Sequence, residues 1–303
     1  VIMTEKSELF MTAPFTADDK TAGAGTAENA AKSGVAAILA KDSDEAIAKA
    51  KQLLSVLPAN NLETAGNDYY MENDAAVSAD LKGIELINSV ADKESVIELY
   101  KQFGTSAVTA IGSLNWRTAG FVATNNGAKL TADDSAKIAR FVTLCDAYSI
   151  PVVTFVDSEG FEKSSAAELA GSIRDSAKLA QAYASATTAK IAVVTGKAYG
   201  SAYVALASTA AGSDFTFAWE GAVIAPTTPE AAVVFLNGVS EDNAKQAQEY
   251  ADNEADAFTA AANGYVDRVI TAEDTKSALT SAIEATSSKR VVTPAKKHVN
   301  FVY

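Results

Sequence analysis

Two short, mostly apolar runs, residues 151–157 and 190–195, constrain this chain more than any other feature. A strand that is apolar on both faces has no solvent face, so it belongs inside a sheet covered on both sides. The stretch between them, 166–185, reads as a helix, and a strand–helix–strand unit implies parallel neighbours. Upstream, 107–114 and 120–124 read as strands joined by a turn at 115–117. Thr131 then caps a helix with Asp133 and Asp134 in its first turn. Ile138, Phe141, Val142 and Cys145 follow at i, i+3, i+4, i+7 and form its apolar stripe, which makes Cys145 a core residue. Downstream come a helix of small residues at 201–208 and short strands at 214–219 and 222–225. Helices at 229–236, 241–251, 253–262 and 273–285 complete the chain. Repeated strand–helix alternation predicts an α/β fold with a largely parallel sheet.

The composition changes character once, over residues 58–80, where turn formers and acids replace any apolar period. This divides the chain into residues 1–57, a linker at 58–80, and a long domain at 81–303. Residues 43–57 read as a helix with Ala46, Ala50, Leu53, Leu54 and Leu57 on one face. A weak internal repeat links the two parts. AAKSG at 30–34 and AAANG at 260–264 are each followed by an apolar run, an Asp (Asp42, Asp274) and a helix. Chance in an Ala-rich chain and descent from a common module both explain it.

Of 303 residues, 25 are basic and 38 acidic, a net charge of −13 that argues against binding nucleic acid. One Cys leaves no disulfide framework and no four-Cys zinc site. One His, His298, speaks against a Ser-His-Asp triad or a multi-His metal centre, so no metal is expected. The longest uncharged stretch of small and apolar residues near the middle, 198–213, is too short to span a bilayer. The opening VIMTEKSE lacks the apolar core of a signal peptide, and the cytoplasm is the expected location.

The most informative stretch is KIAVVTGKAYGSAYVALAS, residues 190–208. The strand is expected to end at Thr195, with Gly196 and Gly200 allowing a sharp turn and close backbone approach. A helix opening at about Ser201 would leave the backbone N–H groups of Ser201 and Ala202 unpaired, a ready-made oxyanion hole. A tight strand–helix junction without a ligand remains the alternative. A Walker A loop is excluded, because no GK[ST] follows the spaced glycines.

Together with FAWEGAVIAPTTPEAA downstream, GKAYGSAY resembles the carboxyltransferase subunits of biotin-dependent acyl-CoA carboxylases and decarboxylases. WRTAGFVATNNG resembles the family's strand pair ending in VAN. ARFVTLCDAYSIPVVTFVDSEGF is similar to its helix, buried strand and D-x-P-G-F loop. LLSVLPANNLE resembles the end of the family's N-terminal half and its linker, AANGYVDRVI its late helix–strand junction and KRVVTPAKKHVNFVY its C-terminal tail, so the likeness covers nearly the whole chain. It implies two crotonase-like domains in tandem, with residues 1–57 as the tail of the first (acyl-CoA) domain and 81–303 as the second (biotin) domain. The chain is then expected to be incomplete at its front, where the loop holding the thioester would lie.

The resemblance implies carboxyl transfer between biotin on a carrier and a short acyl-CoA, with backbone oxyanion holes and neither His, Cys nor metal. Ser201 and Ala202 become the biotin-side donors, and Gly200 permits the approach. Val204 stands where the family sets the acyl pocket, and its apolar side chain suits a short acyl group. Tyr199 and Tyr203 either wall the pocket or belong to the core. Gly160 and Phe161 match the loop beside the biotin site. Implied partners are further carboxyltransferase subunits, a biotin carboxyl carrier protein, and a biotin carboxylase or a membrane decarboxylase subunit. A separate chain could also supply the missing N-terminal half. A decarboxylase of a sodium-pump complex and a non-catalytic assembly subunit are the alternatives. A hydratase or isomerase of crotonase type would need catalytic acids beside the CoA loop, and none are found.

The sequence departs from the implied family pattern where Ser201 replaces a Gly, where Glu159 and Glu220 replace Pro, and in the loop after Phe161, which reads EKSSAAELAGS rather than a more Gly/Pro-rich form. A backbone donor survives the first change. Among the remaining polar residues, Asn125 reads as a turn former or a ligand contact. Arg174, Lys178 and Lys197 read as a solvated face or as partners of a phosphate or carboxylate. Asp157 and Glu159 are available for acid–base work, though their spacing does not require it. Lys296, Lys297 and His298 form a small basic tail suited to surface or subunit contact.

Overall fold

The computed structural model describes residues 1–13, 16, 23–63, 71–124 and 127–292. A small sheet pairs β1 (Ile2–Thr4) in parallel with β2 (Ile38–Ala40), beside helices α1 (Ala27–Lys32) and α2 (Ser43–Val56). Helix α3 (Gly83–Val90) leads into the main sheet. Its strands are β3 (Ile97–Leu99), β4 (Ala107–Leu114), β5 (Arg117–Thr124), β6 (Val152–Ser158), β7 (Lys190–Tyr199), β8 (Phe215–Trp219), β9 (Val223–Ala225) and β10 (Arg268–Ile270). They run in the order β10-β8-β7-β6-β5-β4-β3, with β9 paired to β7. β3, β4 and β5 are antiparallel neighbours; every other pairing is parallel. The fold is therefore α/β with a parallel-dominant sheet, as the alternation predicts.

Side-chain alternation along the buried strands divides the core in two. Val152 and Val156 of β6 face Ile138, Phe141, Val142 and Cys145 of α4 (Ala132–Ala147). Leu179 and Tyr183 of α6 (Ser172–Ser185) join that side. Val153 and Phe155 of the same strand face Leu86, Ile87 and Val90 of α3, with Leu279 and Ile283 of α11 (Thr275–Ala285). Each such side chain stabilises the fold by roughly 1.5–3 kcal/mol on burial. Local signals are equally well formed. Thr131 and Asp134 make a reciprocal capping box at α4. Asn115 and Trp116 both have positive φ (48° and 72°), the turn a two-residue hairpin needs. The Asp92 carboxylate accepts from both turn amides, at 3.0 and 3.1 Å.

Several elements differ from the sequence reading. The helix expected at 166–185 is broken at Gly171, whose left-handed φ of +86° ends α5 (Ser165–Ala170) and starts α6. Strand β7 does not stop at Thr195 but continues to Tyr199, because Ser158 of β6 and all of β9 supply further pairing. A short helix α7 (Gly200–Leu206) follows it directly. Helix α8 (Pro229–Asn237) and α9 (Asn243–Asn253) match two expected helices, but the next, α10 (Ala257–Ala262), starts only after an Asp256 cap. Leu54, placed on the apolar face of α2, is 73% exposed, whereas Leu53 and Leu57 pack on the core. α3 and β3 have no counterpart in the sequence reading.

Within the linker, the described residues form no helix or strand, yet they are fastened to the domain. Asn73 donates to the carbonyls of Asn88 and Ala91 and accepts from Lys276 Nζ, each at 2.7 Å. The internal repeat is structural as well. α1 and α10 are both six residues long, and Gly34 and Gly264 follow at φ +73° and +78°. The three-residue strands β2 and β10 come next, then the helices α2 and α11.

Candidate active site

The carboxyl ends of parallel strands β5, β6 and β7 converge, where ligands bind in open α/β sheets. A cavity of about 300 Å³ lies there, lined by Gly160, Phe161, Tyr199, Gly200, Ser201 and Pro226. Thr131, Glu159, Lys163, Glu168 and Ile173 complete its rim. Gly200 is required for two reasons. Its φ is +57°, and a Cβ there would lie 2.9 Å from the carbonyl oxygen of Pro226. The chain thus turns abruptly from β7 into α7, and no side chain caps the new helix. The first-turn amides, those of Gly200, Ser201 and Ala202, have no intrahelical partner.

The sequence-predicted residues divide into three groups. Gly160, Phe161, Tyr199, Gly200 and Ser201 come together around the cavity. Gly160 has φ +107°, and a Cβ on it would approach Tyr199 O to 3.7 Å, so this loop directly faces the start of α7. Its own amide donates to Ser158 Oγ at 3.2 Å, and its carbonyl accepts from Leu130 N at 2.9 Å. Tyr199 is buried against Ala225 and Ala255, and burial raises its phenol pKa.

A second group lies outside the cavity lining. Ala202 is fully buried immediately behind Ser201. Tyr203 acts as a strut: its hydroxyl donates to Tyr265 O at 2.6 Å, and burial pushes its pKa up to about 12. Val204 is half exposed on the surface of α7. The third group, Asn125 with Lys296, Lys297 and His298, lies outside the described residues.

The charged residues are engaged. Arg174 and Lys178 both bind Asp175, at 2.9 and 2.8 Å, and the Arg174 hydrogen bond first of all lowers the Asp175 pKa. Lys197 Nζ binds Glu159 Oε1 at 2.6 Å, and that bond raises the lysine pKa. Asp157 does not pair with Glu159: its Oδ2 meets Lys82 Nζ at 3.0 Å. Cys145 is fully buried, and desolvation raises its thiol pKa, which removes it as a nucleophile. Among the described residues no cluster of three His, Cys, Asp or Glu side chains could hold a metal ion. Sequence reasoning missed Ile173, which reaches the cavity from α6, and Lys82, which meets Asp157 behind it; Pro226 lies within a quoted motif but was not singled out.

The sequence profile of the carboxyl transferase domain matches residues 1–301. The chain belongs to the carboxyl transferase domain family. It is 35% identical, over 99% of its length, to the methylmalonyl-CoA carboxyltransferase 12S subunit of Propionibacterium freudenreichii subsp. shermanii, and covers 63% of that protein. It is 33% identical to the methylmalonyl-CoA decarboxylase subunit alpha of Veillonella parvula, over 97% of this chain and 62% of that protein. Against the propionyl-CoA carboxylase beta chain of Cereibacter sphaeroides the identity is 34%, over 91% and 58%. A solved transcarboxylase 12S hexamer, with methylmalonyl-CoA and methylmalonic acid bound, matches with TM-score 0.90 at 35% identity. That match covers 100% of this chain and 64% of the other. The carboxyl transferase fold seen here is thus of the crotonase-like type. The chain spans less than two thirds of the length of these relatives.

Proposed function

We propose that this chain forms the biotin side of a subunit that transfers a carboxyl group between biotin and a short acyl-CoA. The observation that carries the reading is the uncapped first turn of α7, opening onto a cavity of about 300 Å³ in a carboxyl transferase domain. The residues present suit a small, flat, polar ring system. Glycines at 160 and 200 bare the backbone on two sides of the cavity, while Phe161, Pro226 and Ile173 provide apolar walls. Biotin, carried by a separate protein or domain, supplies the transferable carboxyl group when bound.

Ser201 lines the cavity, and its N–H is assigned as the donor to the oxygen that gains negative charge. Ala202, the next residue of the same uncapped turn, is buried and is assigned as the second donor. One preorganised donor of this kind is typically worth about 3 kcal/mol. Gly160 and Phe161 flank the ring, and the apolar walls exclude water, which strengthens the donor's field. Val204, Leu169, Val234 and Phe235 are exposed apolar residues on α7, α5 and α8, the helices that neighbour the cavity-lining residues in sequence, and we assign them to contact with an acyl-CoA domain of another subunit. Residues 1–57 are assigned to the end of a preceding, related domain, supported by the matched α1–β2–α2 and α10–β10–α11 units. The same donor serves carboxylation and decarboxylation, so the partner subunits set the direction. No helix among the described residues is long and apolar enough to cross a membrane, which is consistent with a cytoplasmic subunit.

The test is carboxyl exchange between labelled methylmalonyl-CoA and biotin by the full-length protein with its partner subunits. Ser201→Pro removes the N–H while keeping a first-turn φ that proline tolerates. A loss of about 100-fold in kcat is expected. Absence of exchange by the wild type would refute the function, and full activity of Ser201→Pro would refute the donor assignment.

A further inference from the structure

Behind the cavity, a single buried carboxylate joins four parts of the chain. Asp157 Oδ1 accepts from the Lys197 backbone amide at 3.0 Å, and Oδ2 meets Lys82 Nζ at 3.0 Å. The Asp157 amide donates to Thr124 Oγ1 at 2.7 Å, and its carbonyl accepts from the Gly127 amide at 3.0 Å. The ends of β5, β6 and β7 and the start of α3 therefore meet at this residue. Gly196 is explained by the same contact: a Cβ there would lie 2.4 Å from Asp157 Oδ1. It makes room for the carboxylate rather than forming a turn. Lys197 extends the link, since its Nζ holds Glu159 on the loop that carries Gly160 and Phe161.

We propose that Asp157 is a positioning residue that fixes the Gly160–Phe161 loop against the β7–α7 junction and so sets the width of the cavity. The inference rests on the carboxyl-transfer reading of that cavity. Asp157 does not line the cavity and touches no reacting atom. Its contribution is geometric, because removing it leaves the half-buried Lys197 amide without this acceptor and Lys82 without its counter-ion.

The experiment uses the full-length protein with its partner subunits and compares Asp157→Ala, Asp157→Asn and Gly196→Ala. Two quantities are read: kcat per folded protein, and hydrogen exchange at the Lys197 amide and across residues 158–162. A displacement of an ångström is enough for a loss of about 100-fold. Asp157→Ala and Gly196→Ala are therefore expected to lower kcat about 30- to 100-fold and to speed exchange at those amides. Asp157→Asn, whose amide oxygen still accepts from Lys197, is expected within about 5-fold of wild type. If Asp157→Ala does not fold, Lys82→Met replaces it, with an expected loss of about 5-fold and faster local exchange. A kcat per folded protein within twofold of wild type in Asp157→Ala and Gly196→Ala overturns the proposal, as does unchanged local exchange. Absence of carboxyl exchange in the wild type refutes the function instead, and the hydrogen-exchange arm still decides whether Asp157 holds the loop.

Discussion

Gly200→Ala tests whether the backbone alone dictates the junction that creates the site. The φ of +57° costs an L-residue roughly 1–2 kcal/mol. The added Cβ would lie 2.9 Å from Pro226 O, a backbone atom that moves only with the β9–α8 connection. Overpacking of this kind costs typically about 1–3 kcal/mol. The expected destabilisation is therefore about 2–5 kcal/mol, a large share of the roughly 5–15 kcal/mol that holds a domain together. Gly221→Ala is the control, because no heavy atom lies within 4 Å of its Cβ and its φ is not positive. It is expected to change stability by less than about 0.5 kcal/mol. Gly160→Ala carries the conformational strain of φ +107° but meets its nearest atom only at 3.7 Å, so it falls between the two. Urea unfolding followed by circular dichroism ranks the three variants. If Gly200→Ala unfolds at the same urea concentration as Gly221→Ala, the junction accommodates a side chain and the argument from Pro226 is wrong.

Two further predictions concern buried groups away from the cavity. Lys137 is 1% exposed, donates to Ala107 O at 2.7 Å, and desolvation lowers its pKa to about 8. Between pH 8 and the unfolded value of roughly 10.4 the unfolded chain holds a proton that the folded one has lost, so stability rises with pH across that window. The rise is about 3 kcal/mol and is expected to vanish in Lys137→Met; denaturant titrations at pH 7 to 10, read as wild type minus variant, check it. Cys145 is expected to ignore a thiol reagent in the folded protein and to react on unfolding, and prompt reaction of the native protein would contradict its burial.

What the sequence makes legible follows from the range of the interactions involved. β6 and β7 are readable because a strand buried on both faces is mostly apolar, and the start of α4 because Thr131 caps it with two acids in the first turn; the reciprocal Asp134 bond appears only in the structure. Helix α3 is harder, since its eight residues follow Lys82, which makes no side-chain cap. β3 is only three residues long and offers no alternation to detect. Gly196 misleads for a different reason. Its neighbour Asp157 approaches from another strand, and the Lys197–Asp157 bond spans 40 residues. A glycine demanded by a tertiary contact looks the same in sequence as one demanded by a turn.

The site itself shows why chemistry built from backbone atoms is only half legible. Ser201 and Ala202 carry equivalent amides one residue apart, and a sequence motif cannot rank them. The structure separates the two residues, though not their amides: Ser201 lines the cavity, whereas Ala202 is buried and outside the lining. The same logic explains why a serine can stand where the resemblance implies a glycine. On the proposed assignment the donor is the N–H, and glycine is needed only at the preceding position, where positive φ and the Pro226 carbonyl leave no space for a Cβ. Side-chain substitutions at 201 should therefore be tolerated as long as the N–H and the first helical turn remain, so Ser201→Ala and Ser201→Gly should keep activity where Ser201→Pro does not.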